Sequence, residues 1–154
     1  MKEQAKVYWE NFWKEKTPPE NVVFEQFGWE DTPLADELAQ LIVEGKKTAT
    51  CGAYLSYQME DEEMPKEGLY TVVLKSQNEP VAIIRTTEVF ITPMNEVPKE
   101  FAKEEGEGDL SFEYWWEGHE RFFTTVYESL GREFTPDIPV VCERFELIDV
   151  RSRI

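Results

Sequence analysis

Thr32-Pro33-Leu34-Ala35-Asp36-Glu37-Leu38-Ala39-Gln40-Leu41-Ile42-Val43-Glu44-Gly45-Lys46-Lys47-Thr48-Ala49-Thr50 hands a helix over to a strand, and its reading decides the fold. The Thr32 hydroxyl can cap the helix, Pro33 suits the first helical position, and Asp36 and Glu37 complement the positive end of the helix dipole. Leu34, Leu38, Leu41 and Ile42 recur at helical spacing, which lays one face on a core. Gly45 stops the helix because it reaches the left-handed region without a Cβ clash. The following Gly45–Cys51 segment is short and β-branched, as a strand requires. In a regular strand Lys47 and Thr50 face opposite sides, and a bulge or single helical turn would bring them together. A lysine beside a hydroxyl can serve as base and nucleophile. The plainer reading is a solvated helix C-terminus whose lysines complement the dipole.

Composition narrows what surrounds this segment. A chain of 154 residues with 41% hydrophobic and 14% aromatic side chains has enough apolar material for one folded domain. No apolar run approaches membrane-spanning length, and Met1-Lys2-Glu3-Gln4 lacks the apolar stretch of a secretory signal, so a cytoplasmic location is expected. Cys51 and Cys142 are far apart in sequence, lie in strand-like contexts and form no CxxC, which reads as two reduced core thiols. The 16 basic and 32 acidic side chains give a net charge of −16. Such a body repels polyanions at long range and argues against a coat for duplex nucleic acid. A local convergence of Lys46, Lys47, Lys75 and Arg85 would still admit a small ligand or a short strand.

The remaining segments have distinct patterns. Tyr8, Trp9, Phe12 and Trp13 form an aromatic helical stripe, ended by Thr17-Pro18-Pro19. Phe24 to Trp29 is a short apolar segment, and residues 52–60 suit one or two helical turns. Glu60-Asp61-Glu62-Glu63 reads as a solvated loop and not as a metal site. Residues 69–75 and 81–92 read as strands joined by a turn at Gln77-Asn78-Glu79-Pro80, and 139–150 as a closing strand. Strict alternation would put Ala82, Ile84, Thr86 and Glu88 on one face of the second strand. Residues 95–104 suggest a short helix, after which Glu105-Gly106-Glu107-Gly108-Asp109 breaks the chain. Asp109 is the expected N-cap of a longer helix reaching Leu130, with Phe112, Trp115, Trp116, His119, Phe122, Phe123 and Val126 on one stripe. His119, the single histidine, lies inside that stripe and is expected to be structural; its being single excludes a multi-histidine metal site.

Gly45-Lys46-Lys47-Thr48-Ala49-Thr50 resembles the Gly-x-Lys-x-x-Thr signature of the ASCH domain family, a branch of the PUA-like superfamily. Pro80-Val81-Ala82-Ile83-Ile84-Arg85-Thr86-Thr87-Glu88-Val89 continues the resemblance. So does Gly106-Glu107-Gly108-Asp109-Leu110-Ser111-Phe112-Glu113-Tyr114-Trp115. The blocks keep the family's order and imply an α+β fold, a small PUA-like mixed β-barrel flanked by helices. Residues 1–20 would form an N-terminal aromatic helix and linker packed on the domain, and 21–154 the ASCH domain itself.

The resemblance implies a nucleoside- or RNA-type pocket and leaves three activities open. Very short family members are amidohydrolases of acylated cytidine nucleosides, and their lysine, threonine and glutamate match Lys47, Thr50 and Glu88. Thr50 would attack the amide carbonyl, a neutral Lys47 would take the proton, and Glu88 would orient or relay it. Longer members cleave single-stranded RNA with a divalent metal; there Lys47 would hold a phosphate and Ser111, at a helix start, would help place the anion. A non-catalytic module would instead stack a base on Tyr54, Tyr57 or Tyr114. Gly45, Lys46, Arg85, Ser111 and Tyr114 are the expected ligand-binding positions, and no cofactor is required outside the ribonuclease chemistry. The expected partner is a nucleoside or short single-stranded RNA, not duplex DNA and not a membrane. Lys47, Thr50, Arg85, Glu88 and Ser111 should line one cleft, with Lys47 and Glu88 about 4–6 Å apart.

Overall fold

The structure is a computed structural model and describes residues 2–151. Five strands, β1 (Val22–Gln26), β2 (Ala49–Ala53), β3 (Tyr70–Lys75), β4 (Glu79–Pro93) and β5 (Pro139–Val150), form one sheet in the order β1-β3-β4-β5-β2. The sheet curls into a half-barrel of PUA-like type, with β1 and β2 as its edges. β1 runs parallel to β3, and the other pairings are antiparallel.

Helices α1 (Glu3–Trp13) and α2 (Pro33–Val43) cover the two faces at β3. Val72 and Leu74 face α1 with Ile83, while Val73 faces α2 with Ala82 and Ile84, so strand alternation sorts two small cores. α2 begins as its sequence demands: the Thr32 hydroxyl accepts from the Ala35 N–H at 3.3 Å, with Pro33 at the first turn. Asp36 departs from a simple dipole role. Its carboxylate accepts from both the Ser76 N–H and the Ser76 hydroxyl, tying the β3–β4 turn to the helix start. That turn is a short 3-10 segment, Ser76–Asn78, with Gln77 and Asn78 at positive φ.

A third core lies under α4 (Lys99–Glu104) and α5 (Phe112–Ser129), where Phe101, Trp115, Phe123 and Tyr127 pack on Ala49, Val140 and Cys142. A short helix, α3 (Tyr54–Met59), follows β2, and residues 60–63 beyond it are exposed, as a solvated acidic loop should be. α5 starts later than its aspartate suggests. Ser111 is the N-cap, accepting from the Tyr114 N–H at 3.1 Å, while Asp109 accepts from the Ser111 N–H and braces the turn before it. Cys51 and Cys142 stand opposite one another on β2 and β5 as free thiols.

β4 carries a bulge that the sequence conceals. Thr86 pairs with Phe145 and Glu88 with Arg144, so Thr87 is the extra residue and the alternation reverses there. Thr86 therefore shares the face of Phe145, and Glu88 the opposite one.

Trp9 is 5% exposed, and its ring meets Trp13 and Tyr70 at 5.5 Å. Trp9→Ala should cost about 3–5 kcal/mol in denaturant unfolding. A loss below about 1 kcal/mol would show α1 to be a loosely attached arm.

Candidate functional site

The loop Gly45–Thr48 carries Lys47 just before β2. The Lys47 side chain is almost fully buried, with a relative exposure of 1%. Its Nζ donates to Glu105 Oε1 and Glu107 Oε2, both at 3.2 Å, and to the Glu105 carbonyl at 3.5 Å. Burial alone would push the lysine pKa down, but the two carboxylates outweigh it and hold the group above its ordinary range as an ammonium. Glu105 is equally buried. Its other contacts are the Trp115 indole N–H, which donates to Oε2, and His119 Nε2 at 3.1 Å from that same oxygen. Burial would raise Glu105, yet the charges of His119 and Lys47 and these hydrogen bonds keep it well below the carboxylate range.

His119 completes the cluster as an imidazolium. Its Nδ1 lies 2.8 Å from the Trp115 carbonyl, which can only accept, and its Nε2 faces the Glu105 carboxylate, so both ring nitrogens are best protonated. Burial opposes this charge, and Glu105 more than compensates, leaving the His119 pKa raised. The ring also stacks on Trp115 at 4.2 Å. The histidine of the aromatic stripe thus packs against Trp115 and belongs equally to the polar cluster.

Two glycines let the chain bring these groups together. Gly106 has φ +71°, and a Cβ there would lie 2.2 Å from the Lys46 carbonyl oxygen, so the Glu105–Gly108 loop rests directly on the Lys46–Lys47 backbone. Gly108 has φ +59°, and its missing Cβ makes room for the Tyr114 ring. Arg144 anchors the same loop from behind. Its guanidinium is shared between Glu104 and Glu88 at 2.7–3.1 Å and lies over the rings of Phe90 and Phe101.

Above the cluster opens a cavity of about 310 Å³. Lys47, Thr50, Glu107 and His119 belong to its polar floor, and Trp29, Tyr114 and Phe122 supply aromatic walls. Trp29 and Phe122 are in ring contact at 4.5 Å, and Tyr114 is 46% exposed. A smaller hollow of about 140 Å³ adjoins it through Gly28, Thr50 and Cys51, in the seam between the edge strands. Glu25, Glu143 and Tyr57 line that hollow. Glu143 accepts from the Thr86 hydroxyl at 2.6 Å and is raised by burial. Glu25, exposed on β1, brings a second carboxyl to the mouth of this hollow.

The expected site residues divide accordingly. Lys47, Thr50 and Tyr114 line the main cavity; Glu88, Arg85, Ser111, Gly45 and Lys46 do not. The register gives the reason for Glu88: Thr50 pairs with Glu143 and Glu88 with its neighbour Arg144, so they project from opposite sheet faces. Lys47 has Glu105 and Glu107 as its partners, and Glu88 has Arg144. Arg85 lies over Tyr70 and faces Glu146, Lys46 reaches back to Glu44, Gly45 terminates α2 at φ +75°, and Ser111 serves as a cap. Sequence reasoning missed Glu105, Glu107 and Trp29. The two glutamates flanking Gly106 were the available signal, because a glycine between acids permits the close approach just described.

Glu105, Glu107 and His119 bring three ligand-type atoms within 4.8 Å of one another. The Lys47 ammonium already bridges the two carboxylates, so a divalent ion at that point would have to displace a buried lysine.

The chain belongs to the ASCH domain family, whose model matches residues 22–149. Among solved structures it is similar to an ASCH domain from Lactobacillus crispatus JV V101, at 31% identity over 96% of this chain and 95% of that one, with a TM-score of 0.88. It is also similar to protein EF3133 from Enterococcus faecalis V583, at 40% identity over 97% and 91% of the two chains, with a TM-score of 0.85. An ASCH protein from Zymomonas mobilis, 10% identical over 84% of this chain and 70% of that one, shares the fold at a TM-score of 0.50. No protein of curated function matches the chain. No helix among the described residues is long and apolar enough to cross a membrane.

Removing one member of a buried ion pair leaves the other charge unanswered. Lys47→Met should therefore cost about 3–5 kcal/mol, and Glu88→Gln, on a half-exposed pair, below about 1 kcal/mol. Equal costs would remove the asymmetry argued between the two pairs. A second expectation concerns pH. Because the folded pKa of His119 lies above its ordinary 6.5, its stabilisation is complete below that pH and is lost as pH rises through the folded value. Melting temperature should fall as pH is raised from about 6.5, and His119→Asn should flatten that limb.

Proposed function

We propose that this ASCH domain binds a nucleobase-bearing ligand, a nucleoside or the end of a single-stranded RNA, in the cavity above Lys47. The family is proposed to bind RNA. The observation that carries the reading is the pairing of aromatic walls at Trp29, Phe122 and Tyr114 with a polar floor whose charges already cancel. Stacking on such walls tolerates any base, because every base has a π face.

Hydrogen-bond capacity narrows the ligand. The three Lys47 donors all have acceptors within the cluster, as do both His119 nitrogens and the Trp115 indole. What the floor still offers is the second oxygen of Glu107 and the Thr50 hydroxyl. An approaching edge should therefore donate N–H groups, as an amino-bearing base does. A phosphate would have to pull Lys47 away from two carboxylates, and the neighbouring seam adds Glu25 and Glu143. A neutral nucleoside end is favoured over a phosphate clamp.

A second reading, hydrolysis of an acylated base, is favoured by the presence of Thr50 and Lys47 in the polar floor of one cavity. In it the Thr50 hydroxyl attacks the amide carbonyl while Glu107, the partly exposed acid of the cluster, takes its proton in place of Lys47. Glu107 returns that proton to the amino group of the base as the C–N bond breaks, and water then hydrolyses the Thr50 acyl ester. Lys47 stays an ammonium throughout.

Fluorescence titration with nucleosides, acylated nucleosides, single-stranded RNA with and without divalent metal, and duplex DNA tests both readings. Saturable binding of nucleosides or RNA ends is expected, with Trp29→Ala weakening it about 5- to 150-fold, the worth of one stacked base. Release of free base-bearing product marks catalysis. Absence of saturable binding by every nucleobase ligand would end the proposal, as would tight duplex binding that falls steeply with salt.

A further inference from the structure

Gly118 occupies the interior of α5, and nothing in the fold requires a glycine there. Its φ is not in the left-handed region, unlike those of Gly106 and Gly108. A Cβ built on it would meet no atom within 4 Å, so no neighbouring chain needs the close approach. A glycine inside a helix is nonetheless destabilising relative to alanine, through the entropy it loses and the backbone it exposes. The position gives up stability without any structural return within the chain itself.

The cavity explains it. Tyr114, Gly118, Phe122 and Thr125 are spaced by about one helical turn and line the cavity together. Tyr114 stands one turn before the glycine, seated against Gly108, and Phe122 stands one turn after it, braced by Trp29. With a helical rise of about 1.5 Å per residue, the two aromatic positions are roughly 12 Å apart, and the bare backbone of Gly118 lies midway. The result is a notch with aromatic shoulders, beside the Glu107 and His119 end of the floor.

We propose that Gly118 is the size-determining position of the site: its missing side chain forms the slot in which the ligand's ring system lies. This rests on the nucleobase reading above and adds to it which ligands fit. A bicyclic purine, or a pyrimidine carrying an acyl group on its amino nitrogen, needs the whole slot. An unsubstituted pyrimidine needs less of it.

The test uses Gly118→Ala and Gly118→Leu in the full chain, with melting temperature and affinity for cytidine, adenosine and an N-acylated cytidine. Gly118→Ala should melt about 2–4 °C higher than the wild type, since it gains helix propensity without a clash. Gly118→Leu should stay folded and lose at least tenfold affinity for adenosine and the acylated nucleoside, with a smaller loss for cytidine. Unchanged affinities in Gly118→Leu, with wild-type binding intact, would overturn the slot and leave the nucleobase reading standing. A lower melting temperature for Gly118→Ala would also overturn it, by showing that the fold does use the glycine. Wild-type protein that binds none of the three would overturn the nucleobase reading and the slot with it.

Discussion

A lysine ammonium taken out of water must be answered by negative charge, and the construction of this domain follows from how Lys47 is answered. Desolvating the ion is costly by several kcal/mol, and only close carboxylates with good geometry offset that. Glu105 and Glu107 provide them from a loop that begins where α4 ends. Glu105 in turn is neutralised by His119 and the Trp115 indole on α5. One buried charge thereby connects the α2–β2 loop, the α4–α5 loop and the middle of α5. The backbone reinforces the same junction, where the Thr48 N–H donates to the Glu104 carbonyl at 2.8 Å. Arg144 then holds Glu104 from the β5 side, so the position of Lys47 depends on residues nearly one hundred places further along the chain.

Local signals were legible because they are local. The Thr32 cap, the Leu34–Ile42 stripe and the strand pattern at 139–150 each depend on neighbours a few residues away, and each is found where the sequence puts it. The three motif blocks gave the family and the PUA-like fold, which the match over residues 22–149 bears out. The site was harder to read. Lys47 and Thr50 were found because they flank a strand start. Glu88 was misplaced because one extra residue at Thr87 reverses the face of everything after it, and no composition rule reveals a bulge inside a β-branched run. Glu105 read as part of a chain-breaking acidic loop. Only tertiary closure turns it into the most buried carboxylate among the described residues.

The strongly acidic surface and the balanced interior work together. A net charge of −16 keeps polyanions at a distance, while the Lys47–Glu105–Glu107–His119 group contributes no net charge of its own when all four are ionised. Arg121 is the remaining cation on the cavity wall, and it is exposed at the rim. Electrostatic attraction therefore supplies little of any affinity for an anionic ligand. On the proposed reading, selectivity is left to shape, stacking and hydrogen-bond polarity, which suit an uncharged flat ligand better than a phosphate chain.

The same cluster constrains the chemistry available to the site. A lysine acts as a base only when burial strips its proton, and here the carboxylates that permit its burial also keep that proton in place. Lys47 can hold Glu107 in position, but its N–H groups are all engaged and its nitrogen lone pair is not free. Any proton transfer in the cavity has to involve a group at the edge of the cluster, where solvent still reaches. Glu107 is that group: its side chain is 23% exposed against 1% for Glu105, and only one of its oxygens is engaged by the lysine. Buried charge fixes the architecture of this site, and the half-exposed acid beside it is where reactivity or recognition can be expressed.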